Sequence, residues 1–242
     1  MRLPWWFAAL QVVLICGVPT QLIVFAALVG AGTPMGADGS LFTLDPTKIS
    51  LQFFASLSLF DTALVALLIR VFLALSGESS NDVFIGGRSI AREFVRGLVL
   101  LPLLWFGVAG LIALLGRVYP TLHNVPQNPL GVYMDTPMKA AIFIVVVILA
   151  GGIREELQRA FILHRFEQRL GGAYVGLAIF SVAFGLLHLE QGFDVAIAVG
   201  TLGLLWGLIY LRRRSVVAPM VSHAGFDVAQ VLGQLLLKTL VR

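Results

Sequence analysis

The stretch AAIFIVVVILAGGIREELQRAF, residues 140–161, joins an apolar run directly to a cluster of charged side chains. The run itself is apolar enough to lie in the hydrocarbon core of a lipid bilayer. Glu155 and Arg159 are four residues apart, and Glu156 and Arg159 are three apart, so they share one face of a helix. The stretch therefore predicts a membrane helix that carries its charges close to lipid.

The composition of the whole chain indicates a membrane protein. Of its 242 residues, 58% are hydrophobic and 12% are charged, and the mean hydropathy is +0.93. A soluble domain has about 25% charged residues. Long apolar segments recur from end to end, which excludes a soluble globular protein and predicts a polytopic helical one. The net charge of +4 requires no nucleic acid, because Lys and Arg gather on the cytoplasmic loops of membrane proteins.

The fold predicted from these apolar segments is an all-α transmembrane bundle of about seven spans, within a range of six to eight. Most segments are near the roughly 20 residues that an α-helix needs to cross the bilayer core, although the fifth and sixth are short. No internal repeat of the kind found in transporters is present, so a transporter is the least favoured class. The segments are 5–29, 52–75, 94–116, 138–153 continuing into the charged stretch, 173–189, 194–211 and 218–237.

Basic residues occupy alternate connections between these segments. Arg2 precedes the first segment, and arginines cluster in the second, fourth and sixth connections. The positive-inside rule then places the N-terminus in the cytoplasm and the C-terminus outside, although Lys238 and Arg242 run mildly against this orientation. Because the chain and its loops are short, we expect a multi-pass protein of the bacterial inner (cytoplasmic) membrane.

A histidine falls at the same predicted depth as Glu155. The turn signal Gly171-Gly172 separates the charged helix from the apolar segment AYVGLAIFSVAFGLLH, which ends at His188. If that turn joins two antiparallel helices, Glu155 and His188 each lie about 25 Å of helix away from it. Ionisable groups in a membrane interior are costly and usually mark function, so this pair predicts a site.

The last segment supplies a third polar group. In PMVSHAGFDVAQ, His223 and Asp227 are four residues apart and share one helix face. Alone, such a pair is as often a helix–helix hydrogen bond as a functional site, but three polar clusters on three apolar helices predict a shared interior site. Residue counting puts His188 near the outer end of its span and His223 near the cytoplasmic arginines. The fifth helix must therefore end inside the membrane, or the sixth must start deep or tilt.

In order and spacing, these motifs resemble those of the CAAX protease and bacteriocin-processing family of membrane proteins. The family pattern is Glu-Glu-x-x-x-Arg, then Phe-x-x-x-His, then His-x-x-x-Asn or a similar polar residue. The resemblance covers about residues 138–237, the expected catalytic core of a single integral membrane domain, 1–242, in which 1–137 form the N-terminal helices. The motifs are EELQR with Glu155, Glu156 and Arg159, FGLLH with Phe184 and His188, and HAGFD with His223 and Asp227.

The resemblance implies an intramembrane endopeptidase of the glutamate type, with no cofactor. Glu155 and His188 would hold and activate a water molecule as general base. His223, together with Asp227, would stabilise the developing oxyanion. The partners implied are a protein or peptide substrate, which enters from the membrane or its surface, and the lipid bilayer, with no nucleic acid.

Three further residues support this site in the same interpretation. Arg159 would pair with Glu156 and fix the motif helix, which would leave Glu155 free, and Phe184 would shape the pocket one turn before His188. Asp227 departs from the Asn of the prenyl endopeptidases. An ionised Asp cannot donate a hydrogen bond to an oxyanion, so Asp227 either stays protonated or orients its neighbouring histidine.

Two alternatives use the same residues. Glu155, His188 and His223 could ligate a zinc ion with water in an open position, which would give a zinc-dependent protease. A non-catalytic immunity or scaffold protein could instead use the polar cluster for packing or for binding a partner. These hypotheses differ in whether Glu155, His188 and His223 converge around a water-sized polar cavity.

Overall fold

The computed structural model describes residues 3–43 and 45–240, and the regular secondary structure of that part of the chain is helical throughout. The all-α prediction is confirmed. Arg2 and Arg242, which entered the orientation argument, lie outside the described residues. The helices are α1 (Trp5–Ile15), α2 (Val18–Gly30), α3 (Leu51–Leu75), α4 (Ser80–Phe84), α5 (Ile90–Val118), α6 (Pro137–Val146), a π-helix (Val147–Glu155), α7 (Glu156–Arg169), α8 (Ala173–Leu186), α9 (Phe193–Arg213) and α10 (Val217–Leu240).

Several of these helices have the length and apolar surface of membrane spans. In the described part of the chain, α3, α5 and α9 are long and apolar enough to cross a bilayer, and the bent pair α1–α2 provides a fourth candidate. Large apolar side chains face outward, including Leu103 and Phe106 at 66% and 73% exposure. Such a surface suits lipid rather than water. The protein is therefore an integral membrane protein, and the count of seven spans stays a prediction.

The first predicted segment is two helices, which meet at a bend of 48°. Gly17 adopts a positive φ of +96° between them, and Pro19 follows at the start of α2. Because Pro19 has no N–H, the Ile15 carbonyl loses its helical partner. The side-chain amide of Gln158 on α7 donates to that carbonyl instead. The break thus anchors the first helix to the helix that carries the charged motif.

The fourth predicted segment changes its helical form before the charged residues. Val147–Glu155 form a π-helix between α6 and α7, and π-helical turns inside α-helices are frequent at functional sites. A Cβ on Gly152 would lie 2.8 Å from Cα of Ala224, so only glycine permits this approach of α10. The close contact brings the third motif of the chain against the first.

The second motif stands at the end of a short helix. α8 has 14 residues, or about 21 Å of helix, against about 30 Å of hydrocarbon. The connection between α5 and α6 covers the turn that follows it. Asn124 Oδ1 accepts a hydrogen bond from the Phe193 N–H at 2.9 Å, and His123 Nδ1 lies 2.8 Å from Asp194 Oδ2. The length of α8 suits a helix that ends inside the membrane, as the depth argument requires for the three motifs to meet; the depth itself stays a prediction.

The three arginine-rich connections lie at one end of the bundle. Side chains of different connections pair with one another, which agrees with the alternation of charge along the sequence. Three ion pairs link them: Arg165 with Glu78, Arg213 with Glu93, and Arg214 with Glu167.

Candidate active site

Two neighbours fix the imidazole ring of His223, Glu156 at its Nδ1 edge and Trp206 against one face. Its side chain is 6% exposed, and its Nδ1 lies 2.8 Å from Glu156 Oε1. An ionised carboxylate only accepts hydrogen bonds, so Nδ1 carries a proton and donates it. The Trp206 ring stacks on the imidazole with centroids 3.8 Å apart, and its Nε1–H donates to Ser222 Oγ at 3.0 Å. These contacts fix the ring orientation and leave only Nε2 to take part in chemistry.

The Nε2 edge of His223 faces two carboxylates. Glu155 Oε2 lies 3.8 Å away and Asp227 Oδ2 lies 3.7 Å away. Both separations exceed a direct hydrogen bond, and one water molecule seated against these three atoms could bond to all of them. Glu155 and Asp227 keep 18% and 22% of their side-chain surface exposed. This edge is therefore the open side of an otherwise buried cluster.

Arg159 completes the buried side of the cluster. It is fully buried, and its Nη1 donates to Glu156 Oε1. Its Nε and Nη2 have no hydrogen-bond acceptor among the described residues and lie among aromatic rings instead. The guanidinium carbon is 4.9 Å from the Phe184 ring centroid and 5.7 Å from that of Trp206. Cation–π attraction replaces part of the lost hydration, so Arg159 supplies the charge that keeps Glu156 ionised.

His188 approaches this cluster through an aromatic ring. Its Nδ1 lies 2.8 Å from the Phe184 carbonyl oxygen, which can only accept, so Nδ1 carries the proton and the Nε2 lone pair is free. The Phe184 ring stands edge-on to His188 at 5.0 Å and to His223 at 6.3 Å. The described side chains show no ion pair or hydrogen bond between His188 and Glu155. The structure thus brings Glu155, His223 and Asp227 together, with His188 behind Phe184.

The three motifs lie within one matched segment. Residues 137–229 match the family model described as Type II CAAX prenyl endopeptidase Rce1-like. This part of the chain is similar to the Rce1-like family. The match confirms the resemblance drawn from the motifs and supports a CAAX-type intramembrane protease in general. No curated protein and no solved structure matches the chain.

Three residues outside the motif pattern contribute to this cluster. Trp206 stacks on the imidazole described above, and Arg154 places Nη2 3.2 Å from Glu155 Oε1. Arg154 also pairs with Asp61 of α3, outside the matched segment. The adjacency of Arg154 and Glu155 was visible in the sequence, but nothing there indicates that α3 or α9 reaches the site.

The donor set of the zinc hypothesis is not assembled in this geometry. No group of three or more His, Cys, Asp or Glu side chains in the described part of the chain is arranged to hold a metal ion. Whether this candidate site uses a metal stays a prediction, which a chelator can test.

Proposed function

We propose that the protein is a membrane-embedded endopeptidase that hydrolyses a peptide bond with a water molecule activated by Glu155 and a histidine. One observation carries this proposal. In a segment matched to endopeptidases, His223 Nε2 lies 3.8 Å from Glu155 Oε2 and 3.7 Å from Asp227 Oδ2. A carboxylate and an imidazole at this separation suit the activation of one water molecule.

Glu155 is the proposed general base. One of its oxygens faces His223, where a water molecule would sit, and a carboxylate there accepts the water proton as the oxygen attacks the scissile carbonyl. The proton then passes to the leaving nitrogen as the C–N bond breaks, so the site returns to its starting state. His188 is proposed to complete the water site from its free Nε2, since catalytic hydrogen bonds often tighten only when substrate is bound.

His223 is the proposed stabiliser of the oxyanion. Glu156 holds its Nδ1–H, so a protonated Nε2–H would point at the substrate side and could donate to the developing negative charge. Asp227 cannot donate when it is ionised, and its Oδ2 lies beside the same Nε2. We therefore assign to Asp227 the orientation of His223 rather than contact with the oxyanion.

The remaining assignments follow from the surroundings of the site. We propose a peptide or protein substrate that reaches Glu155 and Asp227 from the membrane or its surface, because only their edge of the cluster is open. Nucleic acid has no part in this function. The proposed location is the bacterial inner membrane, with the arginine-rich end of the bundle and the N-terminus in the cytoplasm.

The proposal is tested with the purified protein in lipid vesicles. The probes are quenched fluorescent peptides with a CAAX-type C-terminus, with and without a prenyl group, and a mixed peptide pool. We expect cleavage that falls at least about a hundredfold in Glu155→Gln. Glu167→Gln makes the same substitution at the surface end of the adjoining α7 and should cleave normally. Equal cleavage by Glu155→Gln, or none by the unaltered protein, would contradict the proposal and favour the scaffold hypothesis.

Metal dependence is measured with the same assay. We expect activity to survive 1,10-phenanthroline, because a carboxylate and an imidazole suffice to activate the water. Loss of activity that returns when Zn²⁺ is added would overturn the metal-free mechanism and assign the metal to Glu155, His188 and His223. A non-chelating isomer of phenanthroline controls for effects on the vesicles.

A further inference from the structure

Arg154 joins the motif glutamate to a helix outside the matched segment. Its Nη1 donates to Asp61 of α3, its Nη2 lies 3.2 Å from Glu155 Oε1, and its Nε donates to the Ala150 carbonyl at 3.2 Å. The side chains of Arg154 and Asp61 are 11% and 0% exposed. The guanidinium is thus held at three points, in the planar fork geometry that arginine provides.

Among the described residues, the buried carboxylate of Asp61 has Arg154 as its hydrogen-bond partner. A charge buried among apolar helices is costly unless it is paired, and Oδ1 of Asp61 has no hydrogen-bond partner among the described residues. Its other oxygen meets Arg154. An ion pair kept at this cost on a lipid-facing helix bundle calls for a role besides packing.

The two carboxylate oxygens of Glu155 have different neighbours. Oε1 accepts from Arg154, and Oε2 is the oxygen that lies 3.8 Å from His223 Nε2. Arg159 is engaged by Glu156, so Arg154 is the cation that neighbours Glu155. Without it, the carboxylate could rotate about its last torsion, which is soft for Glu.

We infer that Arg154, anchored by Asp61, is a positioning residue that turns Oε2 of Glu155 toward the water site. Its effect on catalysis rests on the proposed function. The contact geometry itself does not, because it holds the carboxylate whether or not a peptide is cleaved. The N-terminal half of the chain thereby contributes to a site whose motifs all lie in the C-terminal half.

Infrared spectroscopy tests the positioning without any substrate. The difference spectrum between the unaltered protein and Glu155→Gln isolates the carboxylate stretching bands of Glu155. We expect Arg154→Gln to shift these bands and Arg154→Lys to shift them less. Arg214→Gln, which removes an arginine from the surface pair with Glu167, should leave them in place. Bands that stay unmoved in Arg154→Gln would overturn the inference.

A charge reversal separates positioning from simple bundle stability. Asp61→Arg/Arg154→Asp restores a pair between α3 and the π-helix but puts an anion beside Glu155. We expect the thermal unfolding midpoint to recover relative to the single variants, while kcat stays at least tenfold low with KM changed less than twofold. Recovery of kcat would show that the pair is only structural. If the unaltered protein cleaves no peptide, the proposed function fails, and the infrared result still decides the positioning.

Discussion

At the scale of single residues, the two histidines of the site share one arrangement. His223 donates its Nδ1–H to Glu156, and His188 donates its Nδ1–H to the Phe184 carbonyl. Each therefore keeps Nε2 for chemistry, because the partner of one ring nitrogen decides the role of the other. The two histidines differ in the groups that surround them. Nε2 of His223 faces two carboxylates, whereas the contacts of His188 are with the Phe184 carbonyl and ring.

Replacement of Asp227 by Asn distinguishes orientation from charge. An Asn side chain still offers an oxygen to His223 and adds an N–H donor for an oxyanion, so we expect Asp227→Asn to cleave peptide within about tenfold of the original rate. Asp227→Leu offers neither and should lose at least about a hundredfold. Initial rates in vesicles measure both. If the Asn variant is as inactive as the Leu variant, the negative charge itself is required.

The Glu156 substitution tests how far the buried pair supports the fold. Glu156→Gln keeps an acceptor for His223 but leaves the fully buried Arg159 without its counter-charge. Removal of one member of a buried pair costs about 3–5 kcal/mol of unfolding free energy, so the thermal midpoint should fall together with activity. Glu167→Gln breaks an exposed pair and should cost no more than about 1 kcal/mol. Equal effects from both variants would contradict the role of the buried charge.

Residue spacing predicted part of this arrangement. The i,i+3 pair of Glu156 with Arg159 and the i,i+4 pair of His223 with Asp227 follow from helix periodicity alone, and the structure contains both contacts. The bond from His223 to Glu156 and the stacking of Trp206 join residues far apart in sequence. Such contacts depend on how helices pack, which spacing within one helix cannot reveal.

At the scale of elements, the π-helix sets how closely the first and third motifs approach. The apolar run before Gly151 continues into the charged residues without a helix-breaking proline, so the sequence predicted one continuous helix through this stretch. The wider π-turn and two adjacent glycines let α10 lie against the backbone. Asp227 Oδ2 would be 2.5 Å from a Cβ on Gly151, so the same glycines make room for the Asp227 carboxylate.

A methyl group on the π-helix should separate the motifs. In Gly152→Ala the new Cβ would be 2.8 Å from Ala224 Cα, and relief of such an overlap costs about 1–3 kcal/mol. We expect a lower thermal midpoint and loss of cleavage. Gly107→Ala is the matched control on α5, because nothing lies within 4 Å of its Cβ position, and alanine favours a helix by roughly 0.5–1 kcal/mol. A neutral Gly152→Ala would show that α10 does not depend on this approach.

At the scale of the whole molecule, the arginine-rich connections form a polar end that fastens the helices together. Charge alternation along the sequence predicted that these connections share one face, and the ion pairs between them agree. It could not predict the individual partners, such as Glu78, whose carboxylate meets His164, Arg165 and Gln168 of α7. This cluster ties the connection after α3 to the helix that carries the motif. The candidate site and the polar end of the bundle therefore lie at opposite ends of α7.

Acid should weaken this attachment over a defined pH range. Partial burial raises the pKa of Glu78, but hydrogen bonds from His164, Arg165 and Gln168 outweigh it and lower the pKa from 4.5 to about 2. A carboxylate with a lowered folded-state pKa stabilises the fold above its unfolded value, and this contribution is lost as pH falls from about 4.5 toward 2.

Thermal unfolding between pH 7 and pH 2 measures the contribution of Glu78. Glu78→Gln should lower the midpoint at pH 7 and flatten its fall below pH 4.5, so that the two curves converge near pH 2. Glu190→Gln, an exposed carboxylate outside the cluster, should follow the unaltered protein at every pH. Parallel curves for Glu78→Gln and the unaltered protein would mean that Glu78 titrates alike in the folded and unfolded states. In that case the attachment of α7 would rest on its apolar contacts and on the bond from Gln158 to Ile15.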